Sequence, residues 1–174
     1  MSVSHQQLRV ASYGRTQLSY IVCFYLLRPK SRGRIAITSA DPAAPLEIHP
    51  GYLSHPDDLV CMRNGVRLTH RIAQTKPLAD WDAGAISPVA EDLASDDAID
   101  AWVRASSNTI FHPTGSCAMG TGPAAGAVTG ARLCVHGLAG LCVADASIMP
   151  AIVGGNTSAP AMMIAEKAAA MLLT

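Results

Sequence analysis

The chain has 174 residues, of which 49% are hydrophobic and 15% are charged, and its 13 basic residues balance 13 acidic ones. A chain of this size and composition can bury one ordinary globular core. Because the net charge is zero and no long basic run occurs, the charge pattern argues against a nucleic-acid-binding function.

The longest early apolar run, residues 21–27, is far shorter than the about 20 residues that a membrane helix requires. We therefore expect neither a signal peptide nor a membrane span. An odd number of cysteines without a C-x-x-C pair argues against both a disulfide framework and a zinc site. The sequence thus predicts no metal, and reduced thiols in a cytoplasmic protein. The five cysteines are Cys23, Cys61, Cys117, Cys134 and Cys142.

The first predicted elements are two strands. Residues 20–27 are rich in aromatic and β-branched side chains and stop at a proline, which predicts a buried strand. A polar turn follows at 30–34, where Gly33 is available for positive φ, and residues 35–37 resume a short strand. Together these segments predict a hairpin or adjacent strands.

The next elements are two amphipathic helices. The first begins at Pro56, carries Asp57 and Asp58 in its first turn, and ends near Thr75. Its apolar residues at near-helical spacing are Leu59, Met62, Val66 and Ile72. The second begins after Ser95, whose side chain can cap the amide of Asp97 or Ala98, and stops around Ser106. Its apolar residues are Ile99, Trp102 and Val103.

The remaining chain predicts a loop, a strand and a terminal helix. Residues 113–130 are dense in glycine, proline, alanine and threonine, which favours irregular structure. Residues 138–143 indicate a buried strand that runs into Asp145. Pro160 suits the first turn of an alanine-rich helix that continues to the terminus. The apolar positions of this helix are Met162, Met163, Ile164, Ala168 and Met171.

Two segments carry residues suited to chemistry. His112 follows an apolar stretch and precedes Pro113, so its backbone is held extended beside a glycine-containing loop at 115–120, as a general base requires. Residues 145–150 and 154–160 combine glycines, an amide and hydroxyls with a helix N-terminus, which suits an anion or polar ligand. The alternative interpretation is a capped helix, with residues 156–158 satisfying the first amides.

Four ordered motifs resemble the C-terminal region of the glucose-methanol-choline (GMC) flavoprotein oxidoreductases, most closely the choline dehydrogenase-like members. The first two are LLRPKSRGRI at 26–35 with SADP at 39–42, and GYLSHPDDL at 51–59. The third, FHPTGSCAMG at 111–120, is similar to the catalytic-histidine segment of that family. The closing stretch comprises 133–137, 143–150 and 155–167.

This resemblance implies a role for each site residue. His112 would take the proton from a substrate alcohol while hydride passes from the carbinol carbon to flavin N5. Asn156 would be the second catalytic position, with its amide orienting the substrate oxygen. The positions that would contact the FAD cofactor are Phe111, His112, Asp145, Ala146, Asn156 and Thr157. Ala118, Gly154, Ser158 and residues 129–131 depart from the common pattern of the family, which bears on substrate contacts more than on chemistry.

The resemblance also implies an α+β fold with a mostly antiparallel sheet covered by helices, completed by a C-terminal strand and helix of a Rossmann-like FAD domain. Residues 1–19 match poorly, 20–132 form the substrate-binding and catalytic region, and 133–174 complete the FAD domain. The G-x-G-x-x-G dinucleotide turn of the family is absent, since the glycines at 120–126 have the wrong spacing.

We therefore expect this polypeptide alone to hold FAD weakly, to need a separate N-terminal FAD-binding half, and to self-associate through exposed apolar surface. Two alternatives remain open at this stage. One is a non-catalytic binding or interaction module derived from the same fold. The other is a hydrolase using Ser116, although no G-x-S-x-G elbow surrounds that serine.

Overall fold

The computed structural model describes residues 5–6, 21–81 and 84–173. Its helices are α1 (Pro56–Ala73), α2 (Asp96–Ser106) and α3 (Ser158–Leu172). Its strands are β1 (His5–Gln6), β2 (Arg34–Ala36), β3 (Glu47–His49) and β4 (Ser107–Asn108). Short 3-10 turns occupy Leu78–Trp81, Glu91–Leu93, Pro123–Ala125 and Ala146–Ile148. The α+β class is confirmed, with strands that pair only as two antiparallel two-stranded ladders in the described part, β1 with β4 and β2 with β3.

Internal contacts divide the chain into two units. Among the described residues, the first unit holds 27–51 and 111–173, and the second holds 5–6, 21–26, 52–81 and 84–110. The partition into 1–19, 20–132 and 133–174 concerns functional regions and stays a prediction. Its first segment lies outside the described residues except at 5–6, as does Tyr20.

The second unit is built on α1 and α2, and both helices confirm the sequence prediction. Ser95 Oγ accepts the amide of Ala98 at 3.1 Å and starts α2 as expected. The start of α1 uses a side chain that the sequence did not indicate, because His55 Nδ1 accepts the amide of Asp57 at 3.2 Å. The core between the helices contains Leu26, Leu53, Leu59, Met62, Val66, Ile99 and Val103. Ile72, predicted on the apolar side of α1, is exposed.

An ion-pair network joins the polar edges of α1 and α2. Arg63 donates to Asp100 at 2.6 Å and to Asp96 at 2.6 Å, and Arg67 also pairs with Asp96. The hydrogen bond from Arg67 is the main cause that lowers the pKa of Asp96 below 3.8, and the charge of Arg63 lowers it further. The network is exposed at Asp96 and Arg67, so we expect salt to weaken it.

Acid should weaken this helix pair through Asp96. A carboxyl with a depressed folded pKa stabilises the fold fully above its unfolded value of 3.8, and that contribution is lost as the pH falls through the folded pKa. We expect Asp96→Asn to remove this part of the pH dependence of the urea midpoint below about pH 4. Asp97→Asn, at the next position of the same first turn, is the matched control and should retain it. Identical acid profiles for Asp96→Asn and the unmodified chain would contradict the assignment.

The predicted strand at 20–27 is wrong over its described part. Residues 21–27 are irregular, with a single bridge position at Tyr25. The reason is that Leu26 and Phe24 pack against the helical core and not into a sheet. Gly65 of α1 makes this possible, because a Cβ there would lie 2.3 Å from Cε2 of Phe24.

In the first unit, the predicted pairing of the two early strands is also wrong. β2 pairs with β3, Ile35 opposite Ile48, and makes no ladder with residues 21–27. Gly33, which the sequence made available for positive φ, does not adopt it. Its lack of a Cβ instead lets the carbonyl oxygens of His49 and Pro50 approach, to 2.4 and 2.5 Å from where a Cβ would stand.

At the end of the chain, the predicted terminal helix is confirmed as α3, whereas the strand predicted before it is wrong. Residues 138–143 form no strand, and only Cys142 makes a bridge, because Gly137 and Gly140 both take positive φ and turn the chain. Leu138 and Leu141 are exposed, contrary to prediction. Helix α3 buries Ile164 and Ala168 against Leu133, Ile148 and Met149, which form the core of this unit. The irregular structure predicted for 113–130 is confirmed apart from one 3-10 turn and isolated bridge positions at Met119 and Thr129.

Candidate functional site

The segment that follows His112 is fastened to the turn at Ala146–Ile148 by backbone hydrogen bonds. The carbonyl oxygen of Ser147 accepts from the amides of Gly115 at 3.1 Å and Cys117 at 3.0 Å. The carbonyl oxygen of Ile148 accepts from the amide of Met119 at 2.8 Å. Two motifs that lie more than 25 residues apart in the sequence therefore form one structural element.

The imidazole of His112 is held by Thr157 at the start of α3. Thr157 Oγ1 lies 2.9 Å from His112 Nδ1, and Thr157 is 6% exposed. His112 Nε2 makes no hydrogen bond with any residue that the structure describes. For Nε2 to accept a proton, the hydrogen of the neutral ring must be on Nδ1, so that Thr157 Oγ1 acts as the acceptor. This contact fixes the ring and leaves Nε2 available.

Because Thr157 turns its hydroxyl to His112, it does not cap its own helix. It occupies the N-cap position of α3 but makes no side-chain bond to the first turn. Within the described residues, Asn156 and Ser158 make no such bond either, so the predicted capping by 156–158 is wrong. The amide of Ala161 reaches the carbonyl oxygen of Thr157, whereas the amides of Ser158 and Ala159 remain open to an acceptor.

Two further predicted site residues, Asn156 and Phe111, are exposed. Asn156 lies on the surface one residue before Thr157, and its side chain makes no hydrogen bond to His112 in the described structure. Phe111 is 79% exposed and has a φ of 61°, which is uncommon for a bulky residue. A constrained backbone therefore presents an aromatic ring directly beside His112.

Asp145 and Ala146 have structural roles of their own. Asp145 Oδ1 accepts the amide of Ser147 at 2.7 Å and begins the 3-10 turn. Ala146 packs against the core formed by Ile148 and Ile164. Both residues also line a cavity of the first unit, so local packing and ligand contact are compatible for each.

A cavity of about 960 Å³ lies within the first unit, where three of the sequence motifs meet. Three arginines, Arg28, Arg32 and Arg34, line it together with Asp145. Phe111, His112, Asn156 and Thr157 are not among its lining residues. Of the six predicted cofactor contacts, the structure therefore places two in this cavity and four around the start of α3.

No cluster of three or more histidine, cysteine or acidic side chains in the described residues could hold a metal ion. None of the helices described is both long and apolar enough to cross a membrane. All five cysteines are free thiols.

Comparison with known proteins identifies the class of this chain. The GMC oxidoreductase C-terminal family model matches residues 29–165, and the chain belongs to the GMC oxidoreductase family.

Curated relatives agree with this family. An oxygen-dependent choline dehydrogenase from Chromohalobacter salexigens is 44% identical over 143 residues, which are 82% of this chain and 25% of that protein. An alcohol dehydrogenase (acceptor) from Pseudomonas putida is 44% identical over 147 residues, covering 84% and 26%. The chain thus spans about a quarter of the length of these relatives.

Solved structures share the fold. Pyridoxine 4-oxidase from Mesorbium loti superposes with a TM-score of 0.79 at 32% identity, covering 85% of this chain and 28% of that one. A formate oxidase variant from Aspergillus oryzae RIB40, studied for its FAD modification, gives 0.79 at 29% identity and covers 86% and 26%. The resemblance that the four motifs indicated is confirmed.

The sequence did not indicate the contact between Thr157 and His112. Thr157 was assigned to the cofactor by resemblance, and its threonine hydroxyl at a helix start is normally a cap. No local pattern relates two residues that are 45 positions apart. Only the fold brings the hydroxyl to the ring.

Proposed function

We propose that this chain is the catalytic C-terminal part of an FAD-dependent oxidoreductase that oxidises a CH–OH donor, with His112 as the proton acceptor. The observation that carries the proposal is the hydrogen bond between His112 Nδ1 and the buried Thr157. It orients the imidazole in the manner a general base requires, with Nε2 left for the alcohol proton. Bound FAD would supply the acceptor for the hydride.

The residues around α3 fit a flavin. The open amides of Ser158 and Ala159 and the positive end of the helix dipole favour an acceptor oxygen or negative charge. Phe111, which directly precedes His112 in the chain, offers an exposed aromatic surface. We propose that these groups, with Asp145, Ala146, Asn156 and Thr157, contact the cofactor.

Substrate orientation is assigned to Asn156. Its side chain is exposed and lies one residue from the threonine that holds His112. A side-chain amide can donate to the alcohol oxygen while the imidazole accepts the proton of the same group. The substrate class is a small alcohol, as the names of the two curated relatives suggest.

We further propose that FAD binding and activity require an N-terminal FAD-binding half in addition to residues 1–174. The chain contains no G-x-G-x-x-G turn to hold the pyrophosphate. Helix α3 leaves Met162, Met163 and Leu172 exposed, and Leu138 and Leu141 are exposed in the same unit. Without a partner to cover it, this apolar surface should drive self-association. The location we propose is cytoplasmic.

Coexpression with the N-terminal half of a GMC relative tests this proposal. We expect the copurified complex to show flavin absorbance and to be reduced by a primary alcohol under anaerobic conditions, whereas the chain alone should do neither. A complex that forms without flavin would favour a non-catalytic binding module. Flavin that binds but is reduced by none of a panel of small primary alcohols, such as choline, benzyl alcohol and pyridoxine, would contradict the proposed oxidation of a small alcohol.

Thr157→Val tests how His112 is oriented. Valine keeps the shape of threonine but removes the hydrogen-bond partner of Nδ1, so we expect flavin reduction in the complex to slow on the order of tenfold, equivalent to about 1.4 kcal/mol. The loss should fall on kcat more than on KM, because the substitution disturbs the ring that accepts the proton and no proposed contact with the substrate. Thr157→Ser keeps the hydroxyl and should restore most of the rate. Equal losses for both variants would indicate a packing role alone.

A further inference from the structure

Two cysteines face each other across the tight turn of residues 133–143. The amide of Val135 donates to the carbonyl oxygen of Leu141, and the amide of Val143 donates to that of Leu133, both at 2.9 Å. These two bonds flank an antiparallel bridge between Cys134 and Cys142. The bonds join the neighbours of the two cysteines and not the cysteines themselves, which defines a non-hydrogen-bonded pair.

This type of pair has the spacing that a disulfide needs. Directly opposite residues of a non-hydrogen-bonded antiparallel pair have Cα atoms about 4.5 Å apart, with their side chains on the same face. Disulfides span Cα separations of about 4.4 to 6.8 Å, so the backbone already lies within the required range. Gly137 and Gly140, which turn the chain between the cysteines, give the segment freedom to make the remaining adjustment.

The two thiols already interact. A side-chain hydrogen bond between Cys142 and Cys134 is the main cause that raises the pKa of the Cys142 thiol; burial and the charge of Cys134 act in the same direction, and Arg132 acts against them. Cys134 Sγ also lies 3.6 Å from the carbonyl oxygen of Arg132. Both cysteines are free and exposed to solvent. An oxidant in solution can therefore reach both thiols of the bridged pair.

We propose that Cys134 and Cys142 form a reversible redox site, closing to an intramolecular disulfide when the chain meets a small-molecule disulfide such as oxidised glutathione. The site lies in the hairpin that leads from the core residue Leu133 to Asp145. It uses none of the residues assigned to the oxidation of the alcohol, so it can be tested independently of that proposal.

The reaction is a pair of thiol–disulfide exchanges. The thiolate of one cysteine attacks a sulfur of oxidised glutathione, forming a mixed disulfide and releasing one glutathione thiolate. The second cysteine then loses its proton to solvent and attacks the protein sulfur of the mixed disulfide, releasing the second glutathione. Two protein thiols are oxidised and one small-molecule disulfide is reduced to two thiols. In a reducing cytoplasm the pair stays open, and a rise in oxidised glutathione closes it.

Differential alkylation followed by trypsin digestion tests the proposal on the full chain. Cys134 and Cys142 both fall on the tryptic peptide 133–167, which contains no other cysteine. After equilibration with oxidised glutathione and alkylation, we expect this peptide to be unalkylated and lighter by two hydrogen atoms than its reduced form. Dithiothreitol before alkylation should yield the doubly alkylated peptide. The exposed Cys61 is the internal reference and should not pair within the chain.

Geometry, and not mere closeness in sequence, should drive the closure. In concentrated urea the glutathione ratio at half oxidation should shift by at least about tenfold towards the oxidised side, because the bridge no longer holds the sulfurs together. Cys142→Ser should abolish the internal disulfide, whereas Cys61→Ser should leave it unchanged. Glutathione bound separately to each cysteine of the pair, or equal midpoints in the presence and absence of urea, would overturn the proposal. The wild-type measurement stands by itself if a variant fails to fold.

Discussion

Replacement of His112 by glutamine is expected to lower the rate of alcohol-dependent flavin reduction by about 10²- to 10⁴-fold in the reconstituted complex. Glutamine approximates the reach of histidine and can still meet Thr157 Oγ1, but it cannot accept a proton from an alcohol. The FAD content should stay close to that of the unmodified complex, because the proposed cofactor contacts extend over several other residues. Stopped-flow bleaching of the flavin under anaerobic conditions measures the step directly.

The matched control for this substitution is His49→Gln in the same unit. His49 is exposed in β3, where its imidazole pairs with Glu47. It should leave the rate of flavin reduction unchanged. A His112→Gln complex that is fully loaded with FAD and still reduced at the wild-type rate would remove His112 from the role of base. Loss of FAD from that complex would show that His112 acts mainly in cofactor binding.

The elements that the sequence predicted correctly are those whose signals are local. Ser95 precedes an apolar stripe at helical spacing, and its hydroxyl finds an amide three residues ahead wherever the helix packs. The start of α1 at Pro56 and the placement of Pro160 in α3 depend on equally local backbone constraints. These features hold for any tertiary arrangement, which is why pattern alone was sufficient.

The strand predictions at 20–27 and 138–143 are wrong because a short apolar run does not by itself determine what it packs against. Phe24 and Leu26 pack against the helical core, and Phe24 fills the space that Gly65 leaves by having no Cβ. Leu138 and Leu141 lie around glycines with positive φ and stay exposed. An apolar run of six to eight residues is compatible with a strand, a helix contact or an exposed docking surface. Only long-range packing decides among them.

The sequence likewise predicted only part of the candidate site. The glycine-rich loop after His112 and the polar start of α3 were recognisable as motifs, but their meeting at the Thr157 hydroxyl was not. Likewise, the odd number of cysteines argued against disulfides, whereas the structure sets two of them opposite each other in a bridge. Residue type predicts the chemistry that is available, and the fold selects the groups that act together.

The largest effect on stability is expected at Met62, in the middle of α1. Its side chain is 1% exposed and packs in the cluster that contains Val66, Ile99 and Val103. Met62→Ala removes the apolar atoms that fill the space between α1 and α2, and a close-packed core recovers only part of the resulting cavity. We expect the free energy of unfolding to fall by about 2 to 5 kcal/mol. Urea titration followed by the circular dichroism of the helices measures this change.

Met163→Ala provides a control with the same change of side chain. Met163 lies on α3, is 60% exposed, and should change the free energy of unfolding by less than about 0.5 kcal/mol. The comparison separates burial from the helix propensity of alanine, which both substitutions share. If the two variants unfold at the same urea concentration, then α1 and α2 do not form the cooperative core of the second unit. If the free energy of unfolding falls strongly for Met62→Ala and not for Met163→Ala, the α1–α2 contact is what stabilises that unit. The residues of this contact include none of those proposed for the chemistry around α3.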